Sequence, residues 1–154
     1  MRIVIVGAGR AGLEVATHLT RSGHSVTIID NDDAVTRRAS EQHGLVALSG
    51  DATIAAVLEE ADIARSDVVV AMLRRDADNL AVALLARAAG VERVMVRMRD
   101  NAYRPVYAAA GIERVLSETA IYLHLQVFDG VGETLLDYNK SQHTQFRIGF
   151  SIQR

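Results

Sequence analysis

Short apolar runs rich in Val and Ile recur along the chain, separated by stretches whose apolar residues fall three and four apart. The first run, Arg2–Val6, reads "RIVIV", and the segment after it, Arg10–Arg21, sets Leu13, Ala16 and Leu19 on one helical face. That pattern predicts a strand followed by a helix. The alternation continues with a strand at Ser25–Ile29 and a helix at Asp33–Gln42, then a strand at Leu45–Leu48 and a short helix at Ile54–Glu60. Asp67–Ala71 ("DVVVA") predicts a fourth strand, and Asp76–Ala89 an Ala- and Leu-rich helix halted by Gly90. Arg93–Arg97, a helix containing Pro105–Ala110 and a brief strand at Arg114–Leu116 complete the series. Strands that alternate with helices of this length predict an α/β fold, a Rossmann-like doubly wound parallel sheet of about six strands. Runs such as "IVIV" and "VVV" do not alternate with polar residues, so helices are expected on both faces of the sheet.

The periodicity changes after about residue 120. Ile121, Leu123, Leu125 and Val127 alternate as a strand would, yet Ile121, Leu125 and Phe128 also fit a helix. "DYNKSQHTQ" reads as polar linker, and Phe146, Ile148, Phe150 and Ile152 alternate again. The expected organisation is therefore a Rossmann-like domain over residues 1–120 and a C-terminal oligomerisation or linker segment over 121–154. A lone terminal strand needs a partner, either a second subunit or a domain missing here; with the leftover apolar segment 121–128, a homo-oligomer is expected.

Composition narrows the function classes. Hydrophobic residues at 49% and charged residues at 23% are the balance of a globular protein with a real core. The net charge of −2 comes with no basic run, so nothing in the sequence points to nucleic acid. No apolar stretch approaches the length of a membrane span, and none resembles a signal peptide, so any membrane role is expected to be indirect. Cysteine is absent, which excludes thiol chemistry and thiolate metal sites and fits a cytoplasmic location. The five histidines show no metal-ligand spacing, and the acidic run from Asp30 to Asp33 reads as a solvated loop and a helix start. No metal site and no catalytic residue are expected.

The candidate chemistry lies in the first turn. Gly7, Ala8, Gly9, Arg10, Ala11 and Gly12 form G-x-G-x-x-G between a predicted strand and a predicted helix. In that context the first glycine permits the tight turn, the second admits a pyrophosphate, and the third lets the helix pack on the sheet. Unpartnered N–H groups and the helix dipole favour phosphate there. Asp30 ends the second strand about 20 residues further on, where a carboxylate accepts hydrogen bonds from a ribose diol and repels the extra phosphate of NADP. Asp32 and Asp33 strengthen that repulsion. NAD(H) is favoured and NADP disfavoured, while Arg10, a guanidinium suited to phosphate oxygens, keeps ATP or ADP open.

Three later stretches sharpen the reading: "LVALSGDAT", "DVVVAMLRRDADNLAVALLARAAGVERVMVRMRD" and "GIERVLSE". In this order they resemble the nucleotide-binding RCK domain, the regulator of potassium conductance, found also in Trk-type and Ktr-type potassium-uptake regulatory subunits. The resemblance spans roughly residues 1–120. It implies a cytoplasmic regulator that assembles as a dimer or larger ring on a membrane potassium channel or transporter and uses its nucleotide as an effector. By position it implies Gly7, Gly9, Arg10 and Gly12 around the phosphates, with Asp30 and the adjoining Asn31 at the adenosine ribose. Asp51 and Ala52 would stand beside the adenine, and Asp76, Asn79 and Arg97 at the ends of strands four and five. Leu73 stands where the family usually has Thr, so Arg74 or Arg75 is expected to supply polar contact instead. Residues 121–154 do not resemble the smaller second domain of that family. Two other readings stay open: a small NAD-dependent oxidoreductase, for which about 35 residues beyond the sheet leave little room for a substrate domain, and a structural assembly domain with an inactive site.

Overall fold

In a computed structural model, which describes residues 1–117, the predicted alternation is realised almost element for element. The strands are β1 (Arg2–Val6), β2 (Ser25–Asp30), β3 (Val46–Ser49), β4 (Val68–Ala71), β5 (Arg93–Met98) and β6 (Arg114–Ser117). The helices are α1 (Arg10–Arg21), α2 (Asp33–His43), α3 (Ala55–Glu60), α4 (Asp76–Ala88) and α5 (Arg104–Ala109). All pairings are parallel and the strand order is β3-β2-β1-β4-β5-β6. The chain thus builds outward from β1 to β3, then crosses back to place β4 on the other side of β1. That reversal beside β1 is a topological switch point, and such sheets hold ligands at the carboxyl ends of the strands there.

Both faces are covered, as the unbroken apolar runs require. Val4, Val6, Val69 and Ala71 share a core cluster with Val82, Ala83 and Ala86 of α4 and Tyr107 of α5. The alternate positions Ile3, Ile5, Val68 and Val70 are equally buried. Helix α1 buries Val15, Ala16 and Leu19, and its Gly12 lies over the Ile5 side chain. Each buried Val or Ile is worth about 1.5–3 kcal/mol relative to exposure, so the central strands anchor the sheet. The outer strand β3 is only partly covered.

Boundaries differ from the periodic reading by a residue or so. The third strand begins at Val46 because Leu45 is buried with its N–H on the Ala39 carbonyl, closing the end of α2. Two short 3-10 turns, Ile63–Arg65 and Asn101–Tyr103, are additions; three residues are too few to display a period. The expectations for residues 121–154 lie outside the described residues.

Candidate functional site

The turn after β1 is built from glycines with different tasks. Gly7 has φ +103°, donates its N–H to the Ile29 carbonyl at 2.7 Å, and leaves no room for a Cβ, which would stand 2.8 Å from the Met72 carbonyl oxygen. A Cβ on Gly12 would run into the Gly7 carbonyl. These two glycines close the backbone on itself. Gly9 is the opposite case: a Cβ there would meet nothing within 4 Å. The turn is therefore open to a ligand at Gly9, and packed elsewhere.

Helix α1 starts at this opening with no side chain capping it and no acid in its first turn. Its dipole and its first N–H groups thus favour an anion at Gly9. Arg10 stands at the rim with its side chain 85% exposed, paired with Glu14 at 3.5 Å. An exposed pair of that kind is worth about 0.3–0.5 kcal/mol, so the guanidinium is readily redirected. Ala8 and Ala11 are buried.

Asp30, at the end of β2, anchors the turn. Its Oδ2 accepts the Ala8 N–H at 2.7 Å and its Oδ1 the Asp32 N–H at 3.0 Å. A carboxylate accepts about four hydrogen bonds, so Asp30 retains acceptor capacity. Asn31 is exposed beside it, and Asp32 caps α2 by accepting from Ala34 and Val35. The Asp30 carbonyl accepts the Gly50 N–H, which brings the end of β3 alongside. Asp51 follows, exposed, its Oδ1 accepting the Thr53 hydroxyl at 2.7 Å and the Thr53 N–H at 2.9 Å. The Thr53 hydroxyl, then its N–H, hold the Asp51 carboxyl below its ordinary pKa. Ala52 beside it is buried.

The ends of β4 and β5 supply the other half of the edge. Leu73 is half-buried against the core cluster, and Arg74 is exposed. Both backbone groups of Leu73 belong to Asn79: its N–H donates to Oδ1 at 2.7 Å and its carbonyl accepts from Nδ2 at 3.2 Å. The Asn79 amide also donates to the Arg97 carbonyl at 2.9 Å, and the residue is fully buried. Arg97 itself is half-buried on β5.

Asp76 reads from sequence as an N-cap or first-turn acid. It occupies the first turn of α4, behind Arg75 at the cap position, and its carboxylate does not cap that helix. Instead it is buried, accepting the Arg99 N–H at 3.1 Å, the Asp100 N–H at 3.0 Å and the Tyr107 hydroxyl at 3.0 Å. Sequence reasoning missed Tyr107, the largest fully buried side chain; an aromatic in a short helix carries no sign of what its hydroxyl will meet. Desolvation first, then the Asp76 carboxylate, push the Tyr107 phenol pKa well above its ordinary value.

Every residue singled out from sequence thus lies along one edge of the sheet. Gly7 to Gly12, Asp30, Asn31, Asp51 and Ala52 fall at the ends of β1 to β3, and Leu73, Arg74, Asp76, Asn79 and Arg97 at β4 and β5. Among the described residues no group of His, Asp or Glu is placed to hold a metal ion.

A family model described as the TrkA-N domain matches residues 3–118. A Trk system potassium uptake protein TrkA homolog from Methanothermobacter thermautotrophicus is 32% identical over 117 residues, 76% of this chain and 54% of that protein. The chain therefore spans about half the length of that relative. Among solved structures, the GsuK channel bound to NAD superposes with a TM-score of 0.66 at 21% identity, covering 75% of this chain and 21% of that one. GsuK bound to ADP gives 0.66 at 20% identity, covering 75% and 31%. At such identity the structural likeness speaks for the fold.

Proposed function

The chain belongs to the TrkA-N domain family, and on that footing we propose that its glycine turn binds an adenine nucleotide as a regulatory effector, not as a reactant. The carrying observation is the opening at Gly9, the uncapped start of α1, where a Cβ would meet nothing within 4 Å, in a turn whose Ala8 N–H is held by the Asp30 carboxylate. The first-turn N–H groups and Arg10 take the phosphates. Asp30 and Asn31 take the adenosine ribose, Asp51 and Ala52 flank the adenine, and Arg74 and Arg97 lie toward the distal half of the ligand. Asp30, with Asp32 and Asp33 following, disfavours NADP.

NAD(H) is the first ligand by this reading. ATP or ADP is the second, favoured by the exposed and weakly held Arg10. Solved GsuK structures of similar fold are bound to NAD in one case and to ADP in another. The nucleotide's differential affinity for two arrangements of a homo-oligomer, a dimer or larger ring, biases a membrane potassium channel or transporter from its cytoplasmic side. No helix among the described residues is long and apolar enough to cross a membrane; by this reading the effect on ion flux runs through the membrane partner. Residues 1–120 hold the nucleotide, and 121–154 serve as the oligomerisation or linker segment.

The test is thermal unfolding of nucleotide-free protein at fixed concentration with NAD, NADH, ADP, ATP and NADPH in turn. A ligand at about 100 times its Kd adds roughly 2.7 kcal/mol, several degrees for a chain of this size. A shift with NAD or NADH makes this a redox-state reader, and one with ATP or ADP an energy-charge reader. No shift with any of them would leave an assembly domain with an inactive site, and a substrate-dependent absorbance change with NADH would revive the oxidoreductase reading.

A further inference from the structure

The ligand edge of the sheet is tied to α5 by buried and part-buried hydrogen bonds, joined through short steps of backbone, that the family motifs do not announce. It starts at the glycine turn, where Met72 donates its N–H to the Val6 carbonyl at 2.7 Å and the Met72 carbonyl lies against Gly7. It passes through Leu73, whose N–H and carbonyl are both held by the Asn79 amide, and on to the Arg97 carbonyl held by the same amide. One turn away, Asp76 gathers the Arg99 and Asp100 N–H groups and the Tyr107 hydroxyl. That hydroxyl also lies 3.0 Å from the Asp76 carbonyl oxygen.

The chemistry of these bonds argues against a direct ligand role for either side chain. Asn79 has two N–H donors, and both are spent on backbone carbonyls. Asp76 is a buried carboxylate satisfied by two backbone N–H groups and a phenol, and a buried anion that surrendered them would be costly. Both side chains therefore act on backbone of two segments, the β4–α4 loop and the end of β5, and Asp76 adds the Tyr107 side chain of α5. A side chain bonded to both groups of Leu73 does what a neighbouring strand would do, extending the order of β4 past its end.

Resting on the nucleotide reading above, we infer that Asn79 and Asp76 are positioning residues that clasp the β4–α4 loop, the end of β5 and α5 into one unit, so that a nucleotide seated on the glycine turn is felt at α5. The clasp is a physical network with a side chain at each node.

The experiment is amide hydrogen exchange on the full chain, with and without saturating NADH or ADP, for wild type, Asn79→Ala and Tyr107→Phe, together with a double-mutant cycle on stability. In wild type, nucleotide is expected to slow exchange at Leu73, Arg99, Asp100, Ala110 and Ile112 by at least about threefold. Tyr107→Phe should keep the slowing at Leu73 and lose it at Ala110 and Ile112, a split that a merely structural tyrosine would not produce. Asn79→Ala should weaken nucleotide binding on the order of tenfold, because it leaves three backbone groups without partners. If that variant does not fold, Asn79→Asp, which keeps the acceptor and loses both donors, replaces it in binding and in the cycle. Nucleotide protection confined to residues 7–12, or identical protection in wild type and Tyr107→Phe, would overturn the clasp. If wild type binds no nucleotide, the functional reading fails instead, and the cycle judges the network alone: non-additive losses for Asn79 and Tyr107 support it, and strictly additive ones overturn it.

Discussion

Three glycines within six residues answer to three different constraints, and substitution separates them. Gly9→Ala places a methyl in open space at φ −62° and ψ 176°, which any residue adopts. Its stability should stay within about 1 kcal/mol of wild type, because a small entropic gain offsets a slightly poorer cap. Nucleotide binding should nonetheless fall at least about tenfold, since the methyl occupies the approach to the pyrophosphate. Gly12→Ala drives a Cβ into the Gly7 carbonyl and should unfold several degrees earlier even without ligand. Melting curves with and without NADH distinguish the two, and equal melting losses in both variants would contradict the division of labour. Asp51 offers a pH-resolved counterpart. Its carboxyl lies below the ordinary value because the charged form accepts two hydrogen bonds from Thr53. Its small contribution to stability is therefore present above the unfolded pKa of about 3.9 and lost as pH falls through the depressed folded value. Thr53→Val removes the hydroxyl, and an NMR titration should find the Asp51 pKa raised toward the ordinary value.

Among the elements, α4 departs furthest from what its sequence advertises. Asp76 and Asn79 look like surface residues opening a helix, and apolar spacing identifies the helix well. Their burial arises because the ends of β4 and β5 and the short α5 converge on that first turn. Tyr107 is the part of the convergence that titrates. Its phenol is raised above the unfolded value of about 10, so its contribution is fully present below that pH and lost as pH rises beyond it. Tyr107→Phe should cost about 1 kcal/mol at pH 8, where it lacks the hydrogen bond to Asp76. It should also lose less stability than wild type between pH 9 and 11. Urea midpoints across that range measure both effects; parallel pH profiles would mean that the buried phenol does not titrate with unfolding.

Across the whole sheet edge, the cations gather on one side. Asp30, Asp32, Asp33 and Asp51 stand at β2 and β3, whereas Arg74, Arg75, Arg97 and Arg99 stand at β4 and β5, interleaved there with Asp76, Asp78 and Asp100. A ligand lying along this edge with neutral hydroxyls at one end and phosphates at the other is matched by that layout. If the arginines face phosphate, binding of ATP should weaken more than binding of NAD when salt rises from about 0.05 to 0.5 M, since ATP carries more charge and screening is stronger. Equal salt slopes by calorimetry would place the arginines outside the phosphate site. Sequence by itself determined the order of strands and helices, the glycine turn and the Asp30 position, because each follows from local periodicity or from a turn that only glycine permits. It determined the family through the order of later motifs. Tertiary structure alone decided which polar side chains are spent inside the molecule. Beyond Leu73, six residues back, Asn79 reaches Arg97 18 residues away, and Asp76 reaches Tyr107 31 residues away; whether a polar side chain faces a ligand or a buried carbonyl depends on where distant segments converge, which no spacing within one helix encodes.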